Sequence, residues 1–347
     1  MLYRTIDPDS LPELLCKMPK AELHMHIEGS LEPELMFALA ERNGVAMKYP
    51  SVEALRSAYE FDNLQSFLDI YHEGTLVLKT EQDFYDMTCA YLARAQADNV
   101  LHTEIFFDTQ THTGHGLSAQ TVVDGLYRAC QDAPEKYGIT ASLVLCFLRH
   151  LSEEEAFACL EEVLPFREKI VGIGLASSEV GHPPEKFARV FARARELGFR
   201  LVAHAGEEAG PDYIYSALDI LKVERIDHGV QAMRDPELIK RLAHERIPLT
   251  VCPLSNLKLK VFSDLQQHCL KDLLDAGVVA TVNSDDPAYF GGYINTNFTQ
   301  TFAALGMNAT HAYQLARNSF DASFIDVSQK RRYIEKLDAV FESFYRP

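Results

Sequence analysis

Along most of the chain, short apolar runs rich in β-branched residues alternate with longer stretches that carry apolar residues at helical spacing. The runs cover 100–107, 139–148, 170–175, 200–205, 225–230, 248–252 and 278–283, and one more, 21–26, precedes them. Most are apolar nearly throughout rather than at every second position. Strands buried on both faces read this way, and such strands belong to parallel sheets. Helical stretches over 184–197, 212–221, 236–245 and 265–276 lie between them, with Gly198 and Gly277 where helix C-caps belong. Eight alternations predict an α/β fold, a (β/α)8 barrel of the TIM type. A doubly wound open sheet is the alternative, but no Gly-rich dinucleotide turn follows the first strand.

One stretch breaks the rhythm. Between the first two strands, 31–98 shows helical spacing over 33–42, 51–59, 64–78 and 81–98, with Thr80 as an N-cap before acidic residues. That is too long for one crossover helix, so it predicts an insertion of several helices beside the barrel mouth, acting as a lid. The remainder, about 298–347, reads as helices packed over the outside. The whole of 1–347 is thus expected to be a single barrel domain.

Composition narrows the classes. A length of 347 residues, 47% of them hydrophobic, is enough for one large core. The net charge of -17 argues against nucleic acid or an anionic membrane as partner, and is read as a solubility feature. No stretch is apolar enough to span a bilayer, and residues 1–8 lack a signal-peptide layout, so a cytoplasmic location is expected. Seven cysteines, an odd number without Cys-x-x-Cys, read as reduced and mostly buried. Cys146 and Cys252 lie in apolar strand-like runs and are assigned to packing.

In such a barrel, chemistry sits at the C-terminal ends of the strands. The first strand ends in His24 and His26, two residues apart and so on the same side. The fourth ends in Ala176-Ser177-Ser178-Glu179, the fifth in His204-Ala205-Gly206-Glu207-Glu208, the sixth in Asp227-His228-Gly229, and the eighth in Asn283-Ser284-Asp285-Asp286. His24, His26 and His204 offer nitrogens, and one of the two strand-8 aspartates offers an oxygen. Three histidines, a carboxylate and a place for water make a catalytic zinc site. Zinc lowers the pKa of its water from about 16 to about 7, which makes hydroxide available at neutral pH. Iron or manganese takes the same donors. A histidine such as His228 beside that water can orient it and take its proton, and Glu207 can deliver a proton to a substrate. Lys169 stands before the fourth strand, at the wrong end for a carboxylated lysine bridging two metals, so one metal is expected. The Pro-Cys-x-x-Cys stretch of the cytidine-type zinc deaminases is absent. His72, His102, His150, His244 and His268 are read as surface or satisfied core histidines and His115 as part of a loop, with His112 left open.

The segments Glu22-Leu23-His24-Met25-His26-Ile27-Glu28-Gly29-Ser30, His204-Ala205-Gly206-Glu207, Asp227-His228-Gly229 and Ser284-Asp285-Asp286-Pro287 resemble the adenosine/adenine deaminase family of the amidohydrolase superfamily. They run in family order from residue 20 to residue 290, so the resemblance covers nearly the whole chain. It implies one Zn2+ per chain on His24, His26, His204 and Asp285. It implies Glu207 as proton donor to the ring nitrogen, His228 beside the hydroxide, and Asp286 on the purine N7. Ser177 and Ser178 would hold the far edge of the ring. Where adenosine deaminases usually carry an aspartate near the ribose, this chain has Glu28, one methylene longer. That length intrudes on the ribose and suits contact with the imidazole edge of a free base. Residues 107–112, Asp227 and 252–259 also resemble the adenine deaminase branch more closely. The implied reaction is adenine to hypoxanthine plus ammonia, as in purine salvage, with a small aminopurine as partner and a homo-oligomer compatible with it. The within-class alternative is a deaminase of adenosine or of N6-substituted adenines. Ala176 stands where that branch would carry aspartate: lining the pocket it would admit a larger purine, packed under the loop it would not. The non-enzyme alternative, a silent purine-binding barrel, requires a missing member of the constellation, and none is missing.

Overall fold

The structure, a computed structural model, describes residues 6–345, so the N-terminal reading of residues 1–5 lies outside it. Eight strands form one sheet in chain order: β1 (Lys20–His26), β2 (Val100–Phe107), β3 (Thr140–Leu148), β4 (Ile170–Ala176), β5 (Arg200–Ala205), β6 (Arg225–His228), β7 (Pro248–Val251) and β8 (Val279–Val282). Each pairs in parallel with the next. The barrel closes at its C-terminal rim. Met25 bridges Asp285, the His26 N–H donates to the Asp285 carbonyl at 2.9 Å, and the Asp285 N–H donates to the His24 carbonyl at 3.1 Å. The seam is therefore made of the backbone of the expected ligands.

The predicted strands match these within two residues, with β6 to β8 ending earlier than the apolar runs. At β6 the cause is local: His228 and Gly229 take φ of 65° and 72°, so the chain turns before Val230. Gly198 and Gly277, with φ of 86° and 85°, stop the helices before β5 and β8 as expected.

Helices Pro33–Asn43, Val52–Ser57, Leu64–Thr75 and Glu81–Ala97 fill the stretch between β1 and β2. The last of them packs along helix Ala119–Tyr137. The Tyr85 hydroxyl donates to Asp132 at 2.7 Å, and Arg128 pairs with Glu81. Glu81–Ala97 thus serves as the crossover helix of the barrel repeat, and the additional material is Pro33 to Thr75. Helix Leu64–Thr75, started by an Asn63/Ser66 capping box, turns Leu64, Phe67, Leu68, Tyr71 and His72 toward the barrel mouth. This is the i, i+3, i+4, i+7, i+8 stripe of one helix face. Phe67 and Tyr71 pack with Phe61, Tyr289 and Phe290 and fasten the helix to the turn after β8. Helices Ile294–Leu305, Ala309–Ala322 and Val327–Phe344 follow β8. All seven cysteines are free, and five, Cys146 and Cys252 included, are buried. No helix among the described residues is long and apolar enough to cross a membrane.

Inside the barrel, Phe106, Val144, Cys146, Ala176 and Val202 form an apolar layer. Elsewhere in the interior the buried Arg225 guanidinium pairs with Glu104 at 2.6 Å and donates to the Leu23 carbonyl at 3.2 Å. Lys169 pairs with Asp124 just before β4, at the opposite end of that strand from Ser177.

Candidate metal centre and active site

β1, β5 and the turn after β8 bring four donors to one point. His24 Nε2, His26 Nε2, His204 Nε2 and an Asp285 oxygen lie within 4.8 Å of one another. His26 and His204 face each other at 3.1 Å, and Asp285 Oδ1 stands 3.3 Å from His24 Nε2 and 3.6 Å from His26 Nε2. The edge of a tetrahedron around zinc is about 3.3 Å for ligand distances of about 2.0 Å, so these separations fit one ion. The protonation chemistry fits too. His24 Nδ1 lies 2.9 Å from the Thr250 hydroxyl and 3.2 Å from its carbonyl, and a proton on Nδ1 leaves the Nε2 lone pair free. His24 Nε2 is buried and has no hydrogen-bond partner. Burial holds His26 down at about 4 and, together with the neighbouring imidazoles, keeps His204 well below the usual histidine range. Asp285 is driven well below the carboxylate range because His24, His228 and His26 outweigh its burial. Neutral imidazoles and an ionised carboxylate are the forms a metal requires.

The remaining polar residues surround this group. Glu207 is buried, and its Oε1 has no partner. Burial, then Asp285, Glu179 and Glu208, push its acid form well above the usual range, which favours the protonated carboxyl. His228 Nε2 lies 3.5 Å from Glu207 Oε2 and 3.7 Å from Asp285 Oδ2. Its Nδ1 faces Asn256 Nδ2 at 3.4 Å, and the Asn256 Oδ1 accepts from His268 Nε2 at 3.2 Å. His268, read from the sequence as surface or core, is the buried far end of this chain. Accepting from Asn256 at Nδ1 leaves the His228 proton on Nε2, directed at the site.

Asp286 lines the same cavity, and its acid form is raised well above the usual range by burial and by Asp285 beside it. Its Oδ1 is buried without a partner. A Cβ on Gly29 would meet that oxygen at 1.9 Å, which is why the turn after β1 carries glycine there. Glu22, in the same motif, accepts from the Ser284 N–H at 3.1 Å and from the Tyr91 hydroxyl at 2.6 Å, and so ties the turn after β8 to β1.

Other predicted residues land differently. Ser177, at φ 79°, lines the cavity, with its hydroxyl 2.8 Å from His150 Nδ1. The Ser178 hydroxyl instead donates to Gln65 of the inserted helix at 2.9 Å, and Ser178 is not among the lining residues. Glu28 is not among them either: His112 Nε2 and the Tyr71 hydroxyl occupy its two oxygens at 3.0 and 3.3 Å. Tyr71 and Asp108 form the wall, and burial and then Glu28 push the Asp108 acid up to about 6. Ala176 lines the cavity beside Cys146. His72 lines it as well, contrary to its reading as a surface or core histidine. Glu179 is buried and accepts from four successive backbone N–H groups, those of Gly206, Glu207, Glu208 and Ala209. Apart from Asp285, flanked by a carboxylate, each of these sites gave its residue type but not its partner in the sequence.

Known proteins are similar at every level. The family model described as adenosine deaminase matches residues 19–340. The adenine deaminase of Albidiferax ferrireducens is 73% identical over 344 residues, covering 99% of this chain and all of the relative. The crystal structure of adenine deaminase from Arthrobacter aurescens superposes with a TM-score of 0.93 at 48% identity, over 94% of this chain and 99% of that one. An amidohydrolase from Burkhoderia ambifaria, solved with bound Zn, gives 0.88 at 26% identity over 96% of this chain and 94% of that one.

Proposed function

From the premise that this chain belongs to the adenosine deaminase family, in its adenine deaminase branch, we propose the following division of labour for the hydrolysis of adenine to hypoxanthine and ammonia. The observation that carries it is the convergence of three histidines and one aspartate on one point, beside a buried glutamate whose acid form is raised.

His24, His26, His204 and Asp285 hold the metal, and we assign it as one Zn2+. Bound there, zinc supplies the Lewis acidity that makes hydroxide available at neutral pH. Glu207 gives its proton to the ring nitrogen next to C6 as oxygen adds, which turns the ring into a better electron acceptor. His228, with its Nε2–H fixed by Asn256, orients the attacking oxygen. Asp286, whose acid form is raised by burial and by Asp285, donates to the purine N7, whose lone pair is an acceptor. Ser177 bounds the ring on the β4 side. Glu28 acts one layer back, fixing Tyr71 and His112. We read helix Leu64–Thr75, with the rest of the inserted stretch 33–75, as the lid that keeps bulk water from the ring.

Ala176 on the cavity wall supports N6-substituted adenines as a second substrate class. Steady-state rates on adenine, adenosine and N6-alkyl adenines, followed by ammonia release and ultraviolet absorbance, test both readings. Adenine is expected to give the largest kcat/KM. Adenosine turned over far better than adenine would overturn the free-base assignment, and no turnover of N6-alkyl adenines would remove the second class.

A further inference from the structure

The proton donor does not stand on a strand or a helix. Glu207 lies on the irregular stretch 206–210 between β5 and helix Pro211–Ser216, where the backbone has no ladder to fix it. Four successive N–H groups of that stretch point at one buried carboxylate. Glu179 Oε1 accepts from Gly206 at 2.6 Å, and Oε2 accepts from Glu207, Glu208 and Ala209 at 3.1, 2.8 and 2.9 Å. Glu179 is 1% exposed, so water does not compete for these bonds. Successive backbone N–H groups wrapped around an anion make a nest, a rigid unit because one charge satisfies several donors at once. Around it, the Gln231 N–H donates to the Gly206 carbonyl at 2.9 Å and Gln231 Nε2 to the Glu207 carbonyl at 3.1 Å. Arg149 donates to the His204 carbonyl at 2.6 Å. The Glu207 N–H and both carbonyl neighbours are thus held, while the Glu207 side chain faces the cavity with Oε1 unpartnered.

We propose that Glu179 is a positioning residue for the proton transfer, its carboxylate holding the 206–209 backbone so that the Glu207 carboxyl stands at the reacting ring. This rests on the assignment of Glu207 as proton donor. A glutamate that merely stabilised the fold would lower stability or metal content and touch binding and turnover alike. One that aims Glu207 loses its influence on turnover once Glu207 can no longer give a proton.

The experiment is a double-mutant cycle with Glu179→Gln and Glu207→Gln in the metal-loaded protein, with kcat, KM and bound metal measured for all four proteins. Glu179→Gln replaces half of the acceptor with an N–H2 facing N–H donors, and a misplacement of about 1 Å costs about 100-fold in rate. Alone, it is expected to lower kcat by about that factor, with KM within about threefold and metal unchanged. In the Glu207→Gln background it is expected to lower kcat by less than about threefold further. Glu179→Asp, which keeps charge and both acceptors, is expected to retain more of kcat than Glu179→Gln. If Glu179→Gln does not fold, Glu179→Asp carries the cycle and must show the same non-additivity. Multiplying effects of the two sites, an unchanged kcat, or a loss confined to KM or metal content overturns the proposal. A Glu207→Gln protein with normal kcat overturns instead the proton-donor assignment on which it rests, and the proposal with it.

Discussion

Three side-chain residues at the rim, Ser177, His228 and Asp285, take left-handed backbone with φ of 79°, 65° and 63°. Such a conformation costs about 1–3 kcal/mol for a residue with a Cβ, and here it aims functional side chains. At β6 it swings His228 onto Glu207 and Asp285 instead of along the strand. At β8 it leaves Asp285 toward the imidazoles and Asp286 toward Gly29, so two adjacent aspartates play different parts. The acid form of one is driven down by three histidines, and that of the other is raised by burial and by its neighbour. Glu207 shares the second condition, and the clearest residue-scale consequence concerns it. Glu207→Gln preserves size and hydrogen bonding but has no proton to give. It is expected to keep its metal and its KM within a small factor, while kcat falls by about 10²- to 10⁴-fold. Metal analysis beside steady-state kinetics checks this, and a normal kcat removes Glu207 from the reaction.

At the scale of elements, the helix Leu64–Thr75 does for the cavity what the strand ends do for the metal. Its apolar stripe at 64, 67, 68 and 71 was legible as a helix face from spacing alone, and the capping box at Asn63 marks where it begins. What spacing does not tell is which surface that stripe meets. The answer is the turn after β8, through Phe67 on Phe290 with ring centroids 4.6 Å apart. Phe67→Ala is therefore expected to loosen the roof and raise the adenine KM by about tenfold, the effect of losing uniform binding of order 1.4 kcal/mol. Its kcat is expected to change less, because no group that moves a proton is touched. A fall in kcat with KM unchanged would show that the roof aligns the ring rather than holding it. The same division explains what the sequence yielded elsewhere. Strand identity, the His24/His26 pair and the strand-8 aspartates follow from local pattern and from the rule that barrels work at one rim. The grip of Glu179 on 206–209, the His268–Asn256–His228 chain and the burial of Glu28 under His112 join residues 12 to 84 positions apart. They exist only once the strands are side by side. Glu28 shows the consequence. From the sequence its extra methylene suits contact with the substrate, whereas in the folded barrel both oxygens are already occupied by His112 and Tyr71.

Taken as a whole, the barrel buries charge deep in its interior as well as at the rim, and that charge governs how the molecule meets acid. Glu104 and Arg225 are both fully buried and paired at 2.6 Å, linking β2 to β6 across the interior. Burial alone would raise the Glu104 acid, but Arg225, then His102 and the Phe324 N–H outweigh it and hold it at about 2. Its folded value therefore lies below the ordinary carboxylate value of 4.5. A carboxylate depressed on folding contributes stability that is present above its unfolded pKa and is lost as pH falls through the folded one. The pair's contribution is thus expected at neutral pH and withdrawn between about pH 4.5 and about pH 2. Glu104→Gln leaves the Arg225 charge buried without a counter-ion, at a cost of about 3–5 kcal/mol at pH 7. Since glutamine does not titrate, the gap between the two proteins must close as acid protonates the glutamate that one of them still has. Urea unfolding of both proteins at pH 7 and pH 3 reads this difference directly, and effects of acid on the metal site, present in both, cancel from the comparison. A gap at pH 3 as wide as at pH 7 would mean that the glutamate's shape, not its charge, is what the interior requires.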